Sequence, residues 1–115
     1  MSAAEDDRND RVRLIRDSAA AIAPPGGDTS RIRALRFQAP GFDRAVWATM
    51  CEMGWPGLLL GEQRGGSALG MREYCALAEQ LGGGLVPEPL IPASMAAALL
   101  SGAALAAQLS GARLV

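Results

Sequence analysis

Few side chains in this 115-residue sequence could do covalent or acid–base chemistry. They are Glu62, Tyr74, Ser94, Ser101 and the two cysteines, Cys51 and Cys75. A serine or thiol nucleophile needs a base to take its proton, most often histidine, and the chain has none. With no histidine and only two cysteines, the common zinc-ligand sets are excluded, and no metal site is expected. Glu62 lies among glycines, where an exposed carboxylate could act as a base. Nothing near it would tune its pKa, so it reads as a solvated turn residue. Tyr74, Cys51 and Cys75 fall at apolar helical positions and read as packing side chains. No catalytic residue is therefore expected within the chain.

The stretch most open to a ligand-binding reading is "EMGWPGLLLGEQRGGSALG", residues 52–70. A phosphate-cradling loop of the Walker type would place Lys-Ser or Lys-Thr after its glycines, and "GEQRGGS" does not. A dinucleotide fingerprint would sit between a strand and a helix, and no strand pattern flanks it. Glycine at this density otherwise marks tight turns and close helix packing.

The elements that must position these residues read as helices throughout. A first helix is expected from about Asp10 to Ala23, with Asn9 or Asp10 as N-cap and Val12, Ile15, Ala19 and Ile22 on one face. "PPGG" at 24–27 should end it. "SRIRALRF" follows, a basic segment with Arg31, Arg33 and Arg36 that reads as a solvated helical turn rather than an anion site. Asp43 then caps a helix, with Phe42 and Trp47 spaced as a hydrophobic staple. Val46, Met50 and Met53 line one face of that helix, with Trp47 and Cys51 beside them. Gly54 supplies its left-handed end, and Pro56 prevents resumption. "GLLLG" at 57–61 is a short passage through the interior.

After the glycines a helix is expected from about Met71 to Leu81, buried along Met71, Tyr74, Cys75, Ala78 and Leu81. Arg72, Glu73, Glu79 and Gln80 should lie mostly outside, and Gly82 should close the helix. "LVPEPLIP" reads as extended, because residues before proline avoid the helical region. A last helical pair follows, with Ser94 as a possible cap and Gly102 as the break.

Eleven basic against twelve acidic residues give a formal net charge of −1, and aromatics make up 4%. Neither a basic nucleic-acid surface nor a base-stacking platform fits that balance, so no nucleic-acid partner is expected. The start "MSAAEDDRNDR" is polar where a secretory signal would be basic and then apolar. From Pro89 to Ala112 there is no charge, but Pro92, Ser94, Ser101, Gly102 and Gln108 interrupt the run. It reads as buried helices rather than a membrane span. The reading is cytoplasmic, with reduced thiols. The closing "ARLV" carries no stop signal, which suggests a chain cut inside a larger fold.

The order "GFDRAVWATMCEMGWPGLLLGEQRGGSALGMREYCALAEQLGGGLVPEPLIPAS" resembles the amino-terminal helical domain of flavin-dependent acyl-CoA dehydrogenases. The likeness is carried by Glu52, Gly54 and Trp55; Gly57 and Leu58; Glu62; and Gly65, Gly66 and Gly70. It continues through Glu79, Leu81 and Gly82, Pro87 and Pro89, and Ser94, across about residues 30–109. Gly61 departs from the pattern, which usually has proline there, and the turn lacks the common aromatic before Gly65.

The resemblance implies an all-α, bundle-like domain over 30–115, preceded by an N-terminal helix and Pro/Gly linker over 1–29. It also implies that the β-domain and C-terminal bundle of a complete enzyme are absent from the chain. Such an enzyme would use FAD and remove an α-proton and a β-hydride from an acyl-CoA. Its flavin site, thioester site and catalytic glutamate lie mainly in those other domains, so FAD is not expected to bind this chain alone. This segment would pack the fold and wall the acyl pocket near Ser94, Ala97, Ala98 and Ser101. The family's habits imply a homo- or hetero-oligomer, completed by the missing domains or a partner subunit. Two other readings stand beside it: a non-catalytic helical interaction subunit, and a flavin monooxygenase or nitroalkane oxidase of the same architecture.

Overall fold

The computed structural model describes residues 2–23, 26 and 28–114. Six α-helices and two single-turn 3-10 helices follow one another, with no strand among the described residues. The all-α expectation holds. The helices form a slab 48 × 39 × 17 Å, about two helix layers thick.

Helix α1 spans Ala3–Ala20, seven residues earlier at its start than the spacing suggested. Ser2, not Asn9 or Asp10, is the cap, its Oγ accepting the Glu5 N–H at 3.2 Å. Glu5 and Asp6 in the first turn complement the positive end of the helix, and nothing across residues 3–10 breaks it. Asp10 instead pairs with Arg13 on the outer face. Ala19 is buried, with Val12, Ile15 and Ile22 half-buried beside it, as the periodicity indicated. Of the "PPGG" stop, Pro24, Pro25 and Gly27 lie outside the described residues, as does Val115 of the closing "ARLV".

Helix α2, Ser30–Leu35, is a short helix. Helix α3, Arg44–Glu52, carries the signals legible in its sequence. Asp43 accepts the Ala45 N–H at 2.8 Å, and Phe42 packs on the core that contains Trp47. Gly54 follows at φ +79°, a left-handed conformation that a side chain would strain. Met53 falls outside the buried face: it is the C-cap and is 42% exposed.

Helix α4, Met71–Gly83, differs from expectation in phase and in length. Its buried residues are Glu73, Ala76, Leu77 and Leu81, whereas Met71 and Cys75 are exposed and Tyr74 and Ala78 half-buried. The rotation is set from α1, which packs along α4. Arg11 Nε reaches Glu73 Oε1 at 3.2 Å, and Glu73 Oε2 accepts the Gly70 N–H at 3.2 Å. That second bond is half of a capping box; Gly70 has no side chain to complete it. Glu73 is thereby drawn inward at the first turn.

Burial is the largest single influence on the Glu73 carboxyl and raises its pKa. Its own backbone N–H, Arg11 and Gly70 together outweigh burial and hold it below the usual carboxylate range. A depressed native pKa contributes stability above the unfolded value, ~4.3, and that stability is lost as pH falls through the native value. Glu73→Gln is therefore expected to cost about 1 kcal/mol at neutral pH. The gap to wild type, read from urea midpoints, should close as the pH is lowered below about 4.

The glycines at 82–84 do not close α4 where the sequence suggested. Leu85 is the left-handed residue, at φ +51°, with its N–H donating to Gly82 O and that of Val86 to Leu81 O, both 3.1 Å. This is a Schellman motif with leucine where glycine is usual. Gly84 serves a different need: a Cβ there would sit 2.6 Å from the Ala23 Cβ, where α1 ends against this loop. Leu85 is 51% exposed and loses little packing on truncation. Leu85→Gly should raise stability by about 0.5–1 kcal/mol, visible as a Tm increase of a few degrees.

Helix α5 spans Leu90–Leu99 and α6 spans Gly102–Ser110. Ser94 is not a cap but sits inside α5, its Oγ donating to Leu90 O at 2.8 Å. Gly102 starts α6 at φ +57°, consistent with the expected break. No helix among the described residues is long and apolar enough to cross a membrane. The main core gathers Trp47, Met50, Trp55, Leu58, Leu77, Leu81, Leu90 and Ala93, with Ala19 and Ala23 from the α1 end. A smaller cluster of Leu60, Ala97 and Leu105 joins the glycine-rich turn to α5 and α6. Fully buried Gln108 stitches those two helices together, its Nε2 donating to Ala93 O at 3.2 Å.

Candidate functional site

The glycine-rich segment folds onto itself. Gly57 O accepts the amides of Leu60 and Ser67, both at 3.1 Å, while Leu60 O accepts Ala68 N–H at 2.8 Å. Leu58 O accepts Leu69 N–H at 2.9 Å, and Gly61 O accepts Arg64 and Gly66 N–H at 3.0 and 3.1 Å. With Gly65 N–H on Glu62 O and Gly70 N–H on Glu73, every amide from Arg64 to Gly70 donates within the chain. None of these amides is free to cradle a phosphate. Glu62 is exposed on the turn, as read from sequence. Gly61 has φ −62° and ψ 155°, a φ that proline shares, so the departure at this position leaves the backbone path unchanged.

Arg64, on the same turn, reaches α5. Its Nη2 lies 2.8 Å from Leu100 O and 3.3 Å from both Ala97 O and Ala98 O. These are carbonyls that the end of a helix leaves unpaired, and a cation there also meets the negative end of the helix dipole.

A second polar clamp holds the entry to α5. Glu88, with its side chain 0% exposed, takes both Arg31 guanidinium nitrogens, Nη1 at 3.0 Å from Oε2 and Nη2 on Oε1. Its Oε2 also accepts the Asp43 N–H at 2.9 Å, so α2, the cap of α3 and the loop before α5 meet at one carboxylate. The Glu88 hydrogen bonds are the largest influence on the Arg31 guanidinium and raise its pKa, outweighing partial burial. Arg31 is therefore neither a solvated turn residue nor free for an anionic ligand. The sequence offered only one hint of this, a single carboxylate between two prolines.

The four expected pocket residues do not share a surface. Ala97 is fully buried against Leu60 and Leu105, and Ser94 is half-buried with its hydroxyl engaged. Ala98 and Ser101 are exposed. The open face of α5 carries instead Ile91, Met95 and Leu99, spaced four apart and 53%, 66% and 89% exposed. An uncharged apolar helix face of this kind is the sort of surface that marks a contact with another group or domain. Sequence periodicity could not isolate it, because α5 is apolar on every side.

The thiols do not form a reactive site. Burial pushes Cys51 up to about 11, which keeps it a neutral thiol near pH 7. Cys75 is exposed on α4, contrary to its expected place on the buried stripe, and both cysteines are free.

The fold and the ordered motifs together define a helical domain of the flavoenzyme type resembled by the sequence. The family model for the acyl-CoA dehydrogenase N-terminal domain matches residues 9–108, and the chain belongs to that family. The chain is 27% identical over 92 residues to acyl-CoA dehydrogenase IpdE2 of Mycobacterium tuberculosis, covering 79% of the chain and 29% of that protein. It is 32% identical over 90 residues to acyl-CoA dehydrogenase IpdE2 of Mycolicibacterium smegmatis, covering 76% of the chain and 29% of that protein. A solved steroid acyl-CoA dehydrogenase, a variant of Tcur3481-Tcur3483, superposes with a TM-score of 0.77 at 25% identity. That match covers 93% of this chain and 32% of the other. The chain thus spans about a third or less of the relatives it matches.

The family implies FAD. The cleft of about 330 Å³ at the start of α4 is lined by Arg8, Arg11, Gly70, Met71, Arg72 and Glu73. Arg11 there is committed to Glu73, and Arg72 to Asn9 at 2.7 Å. Two of its three arginines are thus engaged and a buried carboxylate stands beside them, which disfavours a flavin pyrophosphate there.

Proposed function

We propose that the chain is the helical amino-terminal part of an FAD-dependent acyl-CoA dehydrogenase, which introduces a double bond between the α and β carbons of an acyl-CoA thioester. The observation that carries this reading is the uncharged outer face of α5, backed by the family match over residues 9–108. Ile91, Met95 and Leu99 would meet the acyl group or the domains that enclose it. Of the residues expected to wall the pocket, Ala98 and Ser101 would stand at its surface, with Ser94 and Ala97 supporting them from behind. The steroid acyl-CoA dehydrogenase among the structural matches supports a bulky, ring-bearing acyl group as the substrate. Flavin, thioester and catalytic base would be held by other domains. The proposed setting is a cytoplasmic oligomer in lipid metabolism, with residues 30–115 as the domain proper and 1–29 as a leading helix and linker.

The same exposed face also favours the interaction-subunit reading, in which the chain docks on a partner and takes no part in oxidation. Anaerobic addition of a bulky acyl-CoA to the flavoenzyme carrying this chain tests the dehydrogenase reading against the monooxygenase one. Loss of oxidised-flavin absorbance is the expected result. If acyl-CoA left the flavin oxidised and substrate turnover instead required a reduced nicotinamide donor and oxygen, the monooxygenase type would be established.

A further inference from the structure

We propose that Arg64 is the positioning residue of the α5 wall: its guanidinium fixes the last turn of the helix and so the placement of Ala98 and Leu99. The link from that placement to an acyl group rests on the function proposed above. Arg64 is half-buried and, among the described residues, forms no ion pair with a carboxylate. Its charge is spent on three backbone carbonyls, Ala97, Ala98 and Leu100, which span the end of α5.

The turn that carries Arg64 is rigid on its own account, since its amide donates to Gly61 O and the flanking amides are satisfied. Those backbone bonds are made within the turn itself and not with α5. Beyond the clamp the helix stops: Leu100 is extended at φ −87° and ψ 162°, and Ser101 is extended too. Apolar packing holds α5 here through Ala97, which contacts the cluster of Leu60 and Leu105. Ala98 and Leu99 make no such anchor, being exposed. Besides the helix's own bond from Leu100 N–H to Ala96 O and the packing of Leu100 on that cluster, the last turn is held by the hydrogen bonds that Arg64 donates.

Hydrogen exchange of the 115-residue chain tests this directly. In Arg64→Ala, exchange in residues 96–101 should quicken roughly tenfold or more relative to wild type, with residues 71–83 unchanged. Arg64→Lys keeps the charge and one cluster of donors, and should recover part of the protection. Unchanged exchange at 96–101, or an equal rise in both segments, overturns the proposal. In the complete enzyme, Arg64→Ala should raise KM for a bulky acyl-CoA severalfold while kcat stays within about twofold. If the wild-type enzyme does not oxidise acyl-CoA, the proposed function fails, and the exchange experiment still decides the role of Arg64.

Discussion

Gly66→Ala is expected to remove about 3–5 kcal/mol of folding stability, enough to unfold a large fraction of a marginally stable domain. A Cβ at this position would lie 2.2 Å from Leu60 O, 2.5 Å from Leu60 Cβ and 2.6 Å from Gly57 O. Two of those atoms are backbone carbonyl oxygens already engaged, Leu60 O with Ala68 N–H and Gly57 O with Ser67 N–H. Relief of the clash must pull the two halves of the turn apart and break those bonds together. It would also displace Leu60 from the cluster with Ala97 and Leu105. Gly82→Ala is the matched control: nothing lies within 4 Å of a Cβ there, and the residue is helical. That change should stabilise by about 0.5–1 kcal/mol. Urea midpoints of the two variants, followed by circular dichroism, should move in opposite directions.

Arg31→Ala is expected to cost about 3 kcal/mol, the low end of the range for breaking a buried ion pair, because Arg31 keeps 37% of its side chain in water. Most of that cost comes from what is left behind. The Glu88 carboxylate is shut off from solvent and, among the described residues, would retain only the Asp43 N–H. A buried charge with so little compensation is more costly than the pair was favourable. Adding Glu88→Gln to Arg31→Ala should therefore recover part of the loss, because it removes the stranded charge while preserving the side-chain shape. If the double variant were less stable than Arg31→Ala by the full cost of a second independent change, Glu88 would not be the source of the penalty.

What could be read from the sequence was what is encoded locally. Asp43 caps α3 through an amide two residues away, and Gly54 ends that helix within its own turn, so both were visible in a short window. The phase of α4 was not, because Arg11 sets it from 62 positions away. Apolar residues on two sides of α4 allowed either face to be buried. The close of α4 was misplaced for a related reason. Three consecutive glycines suggested a helix end, but one of them answers to Ala23, and the left-handed turn falls on Leu85. Arg31 read as solvated because its partner lies 57 residues on, in a loop with no helical period. The family was legible because its ordered glycines record backbone constraints such as those at Gly54 and Gly66. The exposed face of α5 was not, since small side chains on a uniformly apolar helix carry no sign of which face is outside.

The central claim is that these 115 residues supply a scaffold and a wall, while flavin and catalysis belong to other domains. The most direct measurement is to purify the chain alone, titrate it with FAD, and assay acyl-CoA oxidation with an artificial electron acceptor. A folded helical protein without stoichiometric flavin and without turnover is the predicted result; one flavin per chain with acyl-CoA oxidation would contradict it.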